Sequence, residues 1–188
     1  RGFGSLPLNC LEGIVLKRGV FGVMGRIKIA VKNEINKRAL AGEFYVLHRL
    51  FLEGYEATLT LGNTKGIDIL LYNPKNDKQF KVEVKTTGTI TSGKVFGKNM
   101  DWWMGKKHEE IADPNLIFCF VFLPEDKNQK PRTFFVPSNE VARYVKWQHQ
   151  HWIDSEHKKP IKADTTIRAF RIPADKESKY EDDFSLFE

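Results

Sequence analysis

Cysteine is scarce: Cys10 and Cys119 are the only two in the 188 residues. They lie too far apart to frame a disulfide scaffold or to give metal-ligand spacing, so a reducing compartment is expected. Long apolar runs are also missing. Nothing approaches the roughly 20 residues needed to span a bilayer, and charges and glycines interrupt the leader where a signal-peptide core would lie. A cytoplasmic protein with no membrane partner is the expectation. Acidic residues are outnumbered, 24 against 30 Lys and Arg, for a net charge of +6 and a pI near 9.2. That balance favours polyanionic partners such as nucleic acid. There is no internal repeat and no low-complexity tract.

With 41% hydrophobic, 29% charged and 12% aromatic residues, the chain has the composition of a folded globular protein. Its length suits one well-filled domain. The expected division is a leader over 1–35, a domain over 36–174 and an acidic tail over 175–188. Met24 is a plausible natural start, so residues 1–23 are expected to be non-native or loosely attached. The tail is expected to be frayed or docked through Phe184, Leu186 and Phe187.

Leu40, Phe44, Leu47 and Phe51 recur at three- and four-residue steps, which predicts a helix from Asn36 closed by Gly54. Strands are expected over 55–61, 67–72 and 80–86. The last two flank the turn-rich run 73–78 and so form a hairpin. Glycines among polar and basic residues predict a long mobile loop over 88–107. A buried strand over 116–123 and a second over 132–136 follow. Ser138 then reads as the N-cap of a helix presenting Val141, Val145, Gln148 and Trp152. Together these elements predict an α/β fold, a mixed sheet flanked by helices.

A hairpin symmetric about its turn sets Asp68 opposite Glu83. Directly opposed residues share a face, with Cβ atoms about 4.5–5.5 Å apart, so two carboxylates are forced together. Alternation puts Lys85 on the same face and Val82 and Val84 on the other. Such a pair repels itself unless a hard cation resolves it. Mg²⁺ is suited to the task, since it takes one or two carboxylates together with water and substrate phosphate. Lys85 could orient the attacking water and offset charge in the transition state. Glu43 borders the apolar stripe of the first helix, where a carboxylate needs a partner; a supporting role at the site competes there with a salt bridge to Arg38 or Lys37.

Ala41-Gly42-Glu43 on a first helix, then Gly66-Ile67-Asp68, then Glu83-Val84-Lys85, resembles the PD-(D/E)XK nuclease superfamily, which includes restriction endonucleases and archaeal Holliday-junction resolvases. The match covers residues 36–87 in the family's order, with Ile67 in place of the name-giving proline. The resemblance implies a restriction-endonuclease-like core, with Asp68 and Glu83 as metal ligands, Lys85 near the water and Glu43 as an auxiliary. It also implies a Mg²⁺-dependent endonuclease, with Mn²⁺ as a substitute, that cuts DNA. The bland alternative makes Asp68 a turn cap and leaves Glu83 and Lys85 as an exposed pair on an edge strand.

Lys94, Lys98, Lys106 and Lys107, interleaved with Phe96, Trp102 and Trp103, have the character of a nucleic-acid-facing segment in which cations hold phosphates and rings stack on bases. The competing reading makes at least one tryptophan a core anchor. Lys65, ahead of the active-site strand, could contact phosphate. His108-Glu109 lacks a second histidine at zinc-protease spacing. A homodimer would suit double-strand cleavage, although no interface is legible. From another class, the competing function is a non-catalytic nucleic-acid-binding module that keeps the nuclease fold.

Overall fold

The computed structural model describes residues 34–60, 66–157, 159–161 and 165–188. The leader up to residue 33, with Cys10 and Met24, and the expected phosphate contact Lys65 therefore lie outside the described residues. The chain divides into two units, Arg1–Lys37 and Arg38–Glu188. In the first, residues 34–37 are helical and Lys37 bonds Glu34 at 2.8 Å.

The second unit is mixed α/β. Helix α1, over residues 38–52, opens it and ends at Gly54, whose φ of +86° suits a residue without a side chain. Strands β1 (Glu56–Leu59), β2 (Ile69–Asn73) and β3 (Lys78–Thr87) form an antiparallel meander. Next come β4 (Ile90–Gly93), β5 (Gly97–Gly105) and a 3₁₀ turn, Lys106–Glu109. Strands β6 (Leu116–Phe122) and β7 (Arg132–Pro137), helix α2 (Ser138–Asp154), β8 (Ile167–Pro173) and a 3₁₀ turn at Phe184–Phe187 complete the described elements.

Two sheets result, in the order β1-β2-β3-β6-β7 and β4-β5-β8. Strand β3 pairs antiparallel with β2 and parallel with β6, so the larger sheet is mixed. Each face of that sheet carries its own core. Ile69, Leu71, Val82, Val84, Cys119 and Val121 pack with Val46 and Leu50 of α1 and with Phe187. On the opposite face Phe118, Phe120 and Phe134 meet Trp102, Met104 and Phe170 of the smaller sheet and Val141 and Val145 of α2. Strand β6 is buried along its whole length, as an apolar run covered on both faces must be.

Several expectations are corrected. The buried stripe of α1 is Gly42, Val46 and Leu50, whereas Leu40, Phe44 and Phe51 are about half exposed. Helix and sheet approach most closely where side chains are small: a Cβ on Gly42 would overlap the Thr86 hydroxyl. The expected loop over 88–107 is the β4–β5 hairpin, pinned by the pairing of β5 with β8, a strand whose sequence gave no clear signal. Ser138 begins α2 but does not cap it. Its hydroxyl donates instead to the carbonyl of Asp113 at 2.7 Å. The tail docks: Phe187 is fully buried, and its carbonyl accepts from the Asn73 amide at 2.8 Å.

Candidate active site

Residues Ile69 and Val82 face each other across the β2–β3 ladder, in the register that the symmetric turn implies. One step further along, the geometry departs from a simple opposed pair. The N–H of Asp68 donates to Val82 O at 2.9 Å, and its carboxylate Oδ2 accepts the N–H of Val84 at 2.7 Å. The two bonds straddle Glu83. Asp68 thus takes up the backbone where β2 begins, as the bland reading supposed, while its charge stays within reach of both Glu83 and Lys85.

Glu83 and Lys85 stand in register with Phe118 and Phe120 of β6, on the sheet face that meets the smaller sheet. Glu83 is only 3% exposed, and its Oε1 lies 2.6 Å from Lys85 Nζ. An exposed pair on an edge strand is therefore overturned, because β3 is central and Glu83 is buried. The other oxygen, Oε2, is buried with no hydrogen-bond partner among the described residues. Facing it is Gly66, where a Cβ would come within 3.3 Å and where φ is +76°. Glycine keeps that approach open.

A residue not expected at the site is His108, in the 3₁₀ turn after β5. Its Nε2 lies 3.5 Å from Glu83 Oε1, an ion-pair distance but long for a hydrogen bond, and its ring packs edge-on to Phe118. Nδ1 lies 2.8 Å from the Gly105 carbonyl, to which it can donate, and 3.1 Å from the Gly105 N–H, from which it can accept; the tautomer decides between them. Sequence reasoning missed it because 25 positions separate His108 from Glu83 and a lone histidine in a short turn carries no periodic signal.

The three acids differ in their proton affinities. Burial alone would push Glu83 up, but the His108 contact and the Lys85 ammonium outweigh it and hold the carboxyl at about 2. Asp68 is shifted upward, chiefly by burial, against the pull of the Val84 N–H and Lys85. Glu43, half-buried on α1, is also raised, by burial and then by the charge of Asp68, with Lys85 opposing. The four residues Glu43, Asp68, Glu83 and Lys85 thus form one electrostatic unit.

Among the described residues no three His, Cys, Asp or Glu side chains converge closely enough to hold an ion by themselves. A magnesium ion does not need three, because one or two carboxylates with waters and phosphate oxygens suffice. The unpartnered Oε2 of Glu83 and the disfavoured charge of Asp68 are what a hard divalent cation would satisfy, so the donors fit such an ion.

The expected nucleic-acid contacts separate. Lys94, Lys98, Lys106 and Lys107 are exposed along β5 and its two ends. Trp102 is not available for stacking: it is 2% exposed in the second core, and its Nε1 donates to Val121 O at 3.0 Å. Its neighbour Trp103, on the opposite face of β5, is 65% exposed.

No family model and no curated protein matches the chain. Among solved structures it is similar to the bacterial homing endonuclease I-Ssp6803I, with 13% identity, a TM-score of 0.45 and coverage of 79% of this chain and 87% of that one. At that level the likeness bears on neither the site nor its activity. No described helix is long and apolar enough to cross a membrane.

Proposed function

We propose that the chain is a Mg²⁺-dependent endonuclease that hydrolyses phosphodiester bonds in DNA, with Mn²⁺ as a substitute. One observation carries the reading: a buried carboxylate with an unpartnered oxygen, Glu83, beside a second acid whose ionisation burial opposes, Asp68, with a lysine bonded to the first. In a purely structural cluster the unpartnered Glu83 oxygen and the charge of Asp68 would cost stability and return nothing.

Asp68 and Glu83 would hold the cation, which when bound supplies Lewis-acid polarisation of the phosphoryl group. Lys85 remains close enough to Glu83 to keep its ammonium in place, where it orients a water and offsets charge gathering on the phosphate oxygens. His108 faces the same Glu83 oxygen that Lys85 bonds, at 3.5 Å, and supports its charge as outer groups do for metal ligands. Glu43 holds Lys85 and Asp68 in one field and, with its raised proton affinity, can take a proton at its carboxylate.

Plasmid DNA incubated with purified protein tests the reading. Cleavage should need Mg²⁺ or Mn²⁺, should stop in chelator, and should fall by roughly 100-fold or more in Lys85→Ala. Asp68→Ala should abolish it. Full DNA binding with no cutting in any divalent metal would leave a non-catalytic nucleic-acid-binding module instead.

A further inference from the structure

Beyond the carboxylate cluster, a pocket of about 260 Å³ opens between the outer face of the smaller sheet and the end of α2. Trp103, Trp152, Ile167 and Ala169 give it apolar walls, and Gln148, His149, Arg168 and Arg171 give it polar edges. The volume falls short of the roughly 300–1,000 Å³ usual for drug-sized ligands, which points to a single flat ring system.

The polar edge has an unmet need. Arg171 is 13% exposed and lies 3.3 Å from Asp101 Oδ1 through Nε, with its guanidinium 4.5 Å from the Phe96 ring centre and 6.0 Å from that of Trp103. Its Nη1 and the facing Asp101 Oδ1 are both buried without a hydrogen-bond partner among the described residues. Trp103 leaves most of its ring uncovered at the mouth. An exposed indole, a second indole and the guanidinium of Arg171 along the wall form a stacking and hydrogen-bonding site for a planar heterocycle that carries acceptors.

Chain connectivity ties this pocket to the carboxylate cluster. In the 3₁₀ turn His108 contacts Glu83, while the next residue, Glu109, pairs with the buried guanidinium of Arg168 in the pocket wall. Exposed Lys98 lies on β5, the strand of Trp103, and exposed Lys107 in the 3₁₀ turn that follows it.

We infer that this pocket receives one unpaired nucleobase of a nucleic-acid substrate, stacked on Trp103 with its edge read by Arg171. A base in a duplex would first have to leave the stack, so the substrate offers it in a single-stranded or distorted region. The inference takes from the proposed nuclease function only its substrate class.

The test uses the full chain in chelator, with a single-stranded oligonucleotide carrying one 2-aminopurine, so that no cleavage is required. Binding should quench the probe. Trp103→Ala should abolish the quench and weaken binding about tenfold, the effect of losing one base–aromatic stack, while Trp103→Phe should keep most of both. A strand of the same length that is abasic at every position should bind the wild type about as weakly as the intact one binds Trp103→Ala. Equal affinity of wild type and Trp103→Ala, or of abasic and intact strands, would overturn the inference. So would binding of adenosine 5′-monophosphate as tight as that of the oligonucleotide, which would make the ligand a free nucleotide. If Trp103-dependent binding is found and no metal supports cutting, the nuclease reading fails and the pocket stands. If cutting proceeds and Trp103→Ala binds normally, the reverse holds.

Discussion

Gly42 of α1 lies directly against Thr86 of β3, with no room for a methyl group between the Gly42 Cα and the Thr86 hydroxyl. Glycine inside a helix normally costs about 1 kcal/mol relative to alanine. Here the closeness that it allows brings Glu43, the next residue, within the field of Asp68 and Lys85. The Thr86 hydroxyl is itself buried without a partner among the described residues.

Gly42→Ala should therefore destabilise the fold despite its better helix propensity. Overpacking costs about 1–3 kcal/mol, so a net loss of about 1–2 kcal/mol is expected in urea unfolding. Adding Thr86→Ala should recover about half of it, because the hydroxyl is the main obstacle. A neutral or stabilising Gly42→Ala would show that helix and strand are not held this close.

The buried ion pair of Glu83 sets a pH signature. Its carboxyl is held at about 2 in the folded chain against 4.5 ordinarily, so the stability it contributes is present above about pH 4.5 and is lost as pH falls toward 2. The gap in Tm between wild type and Glu83→Gln should be widest near neutral pH and should narrow through that window. A gap constant from about pH 6 to about pH 3 would mean that Lys85 and His108 do not hold the charged form.

Asp68 has the opposite sign. Its proton affinity is raised, so its charge opposes folding at neutral pH, and this cost is relieved as pH falls through its folded value. Asp68→Asn keeps an acceptor for the Val84 N–H and removes the charge. In chelator its Tm should equal or exceed that of the wild type. Added Mg²⁺ should raise Tm in the wild type and leave the variant unmoved. A large loss of Tm in chelator would mark Asp68 as a structural cap alone.

The adjacent tryptophans should respond very differently to truncation. Trp102→Ala empties a buried site and breaks the bond to Val121, for an expected loss of about 3–5 kcal/mol. Trp103→Ala removes an exposed ring and should change stability by no more than about 0.5 kcal/mol. Paired chemical-denaturation curves distinguish them, and similar losses would contradict the assignment of faces.

These contrasts also show what the sequence made legible. The register of β2 on β3 is readable because the turn run 73–78 is rich in residues that bend the chain and Val82 and Val84 alternate cleanly with polar residues in β3. The carboxylates and Lys85 followed from that register, although the way Asp68 turns its side chain onto Val84 did not, since a backbone acceptor would have served equally well. In α1 the most hydrophobic stripe was not the buried one, because contact with the sheet selects small side chains around Gly42 over large ones such as Phe44. In a strand over 97–105 the adjacent Trp102 and Trp103 must face opposite ways. Its glycines and lysines hid that, and β8 supplies the partner that makes it a strand.

Strand β3 is hydrogen-bonded on both sides, to β2 and to β6, and carries Glu83 and Lys85 at the middle of the larger sheet. Its amide protons should be among the last to exchange with solvent, released only when the whole domain opens. Breathing of the β4–β5 hairpin, whose first strand is exposed throughout, should leave them protected. The groups assigned to chemistry thus sit on the most persistent part of the molecule, and whatever adapts to a substrate has to be its periphery.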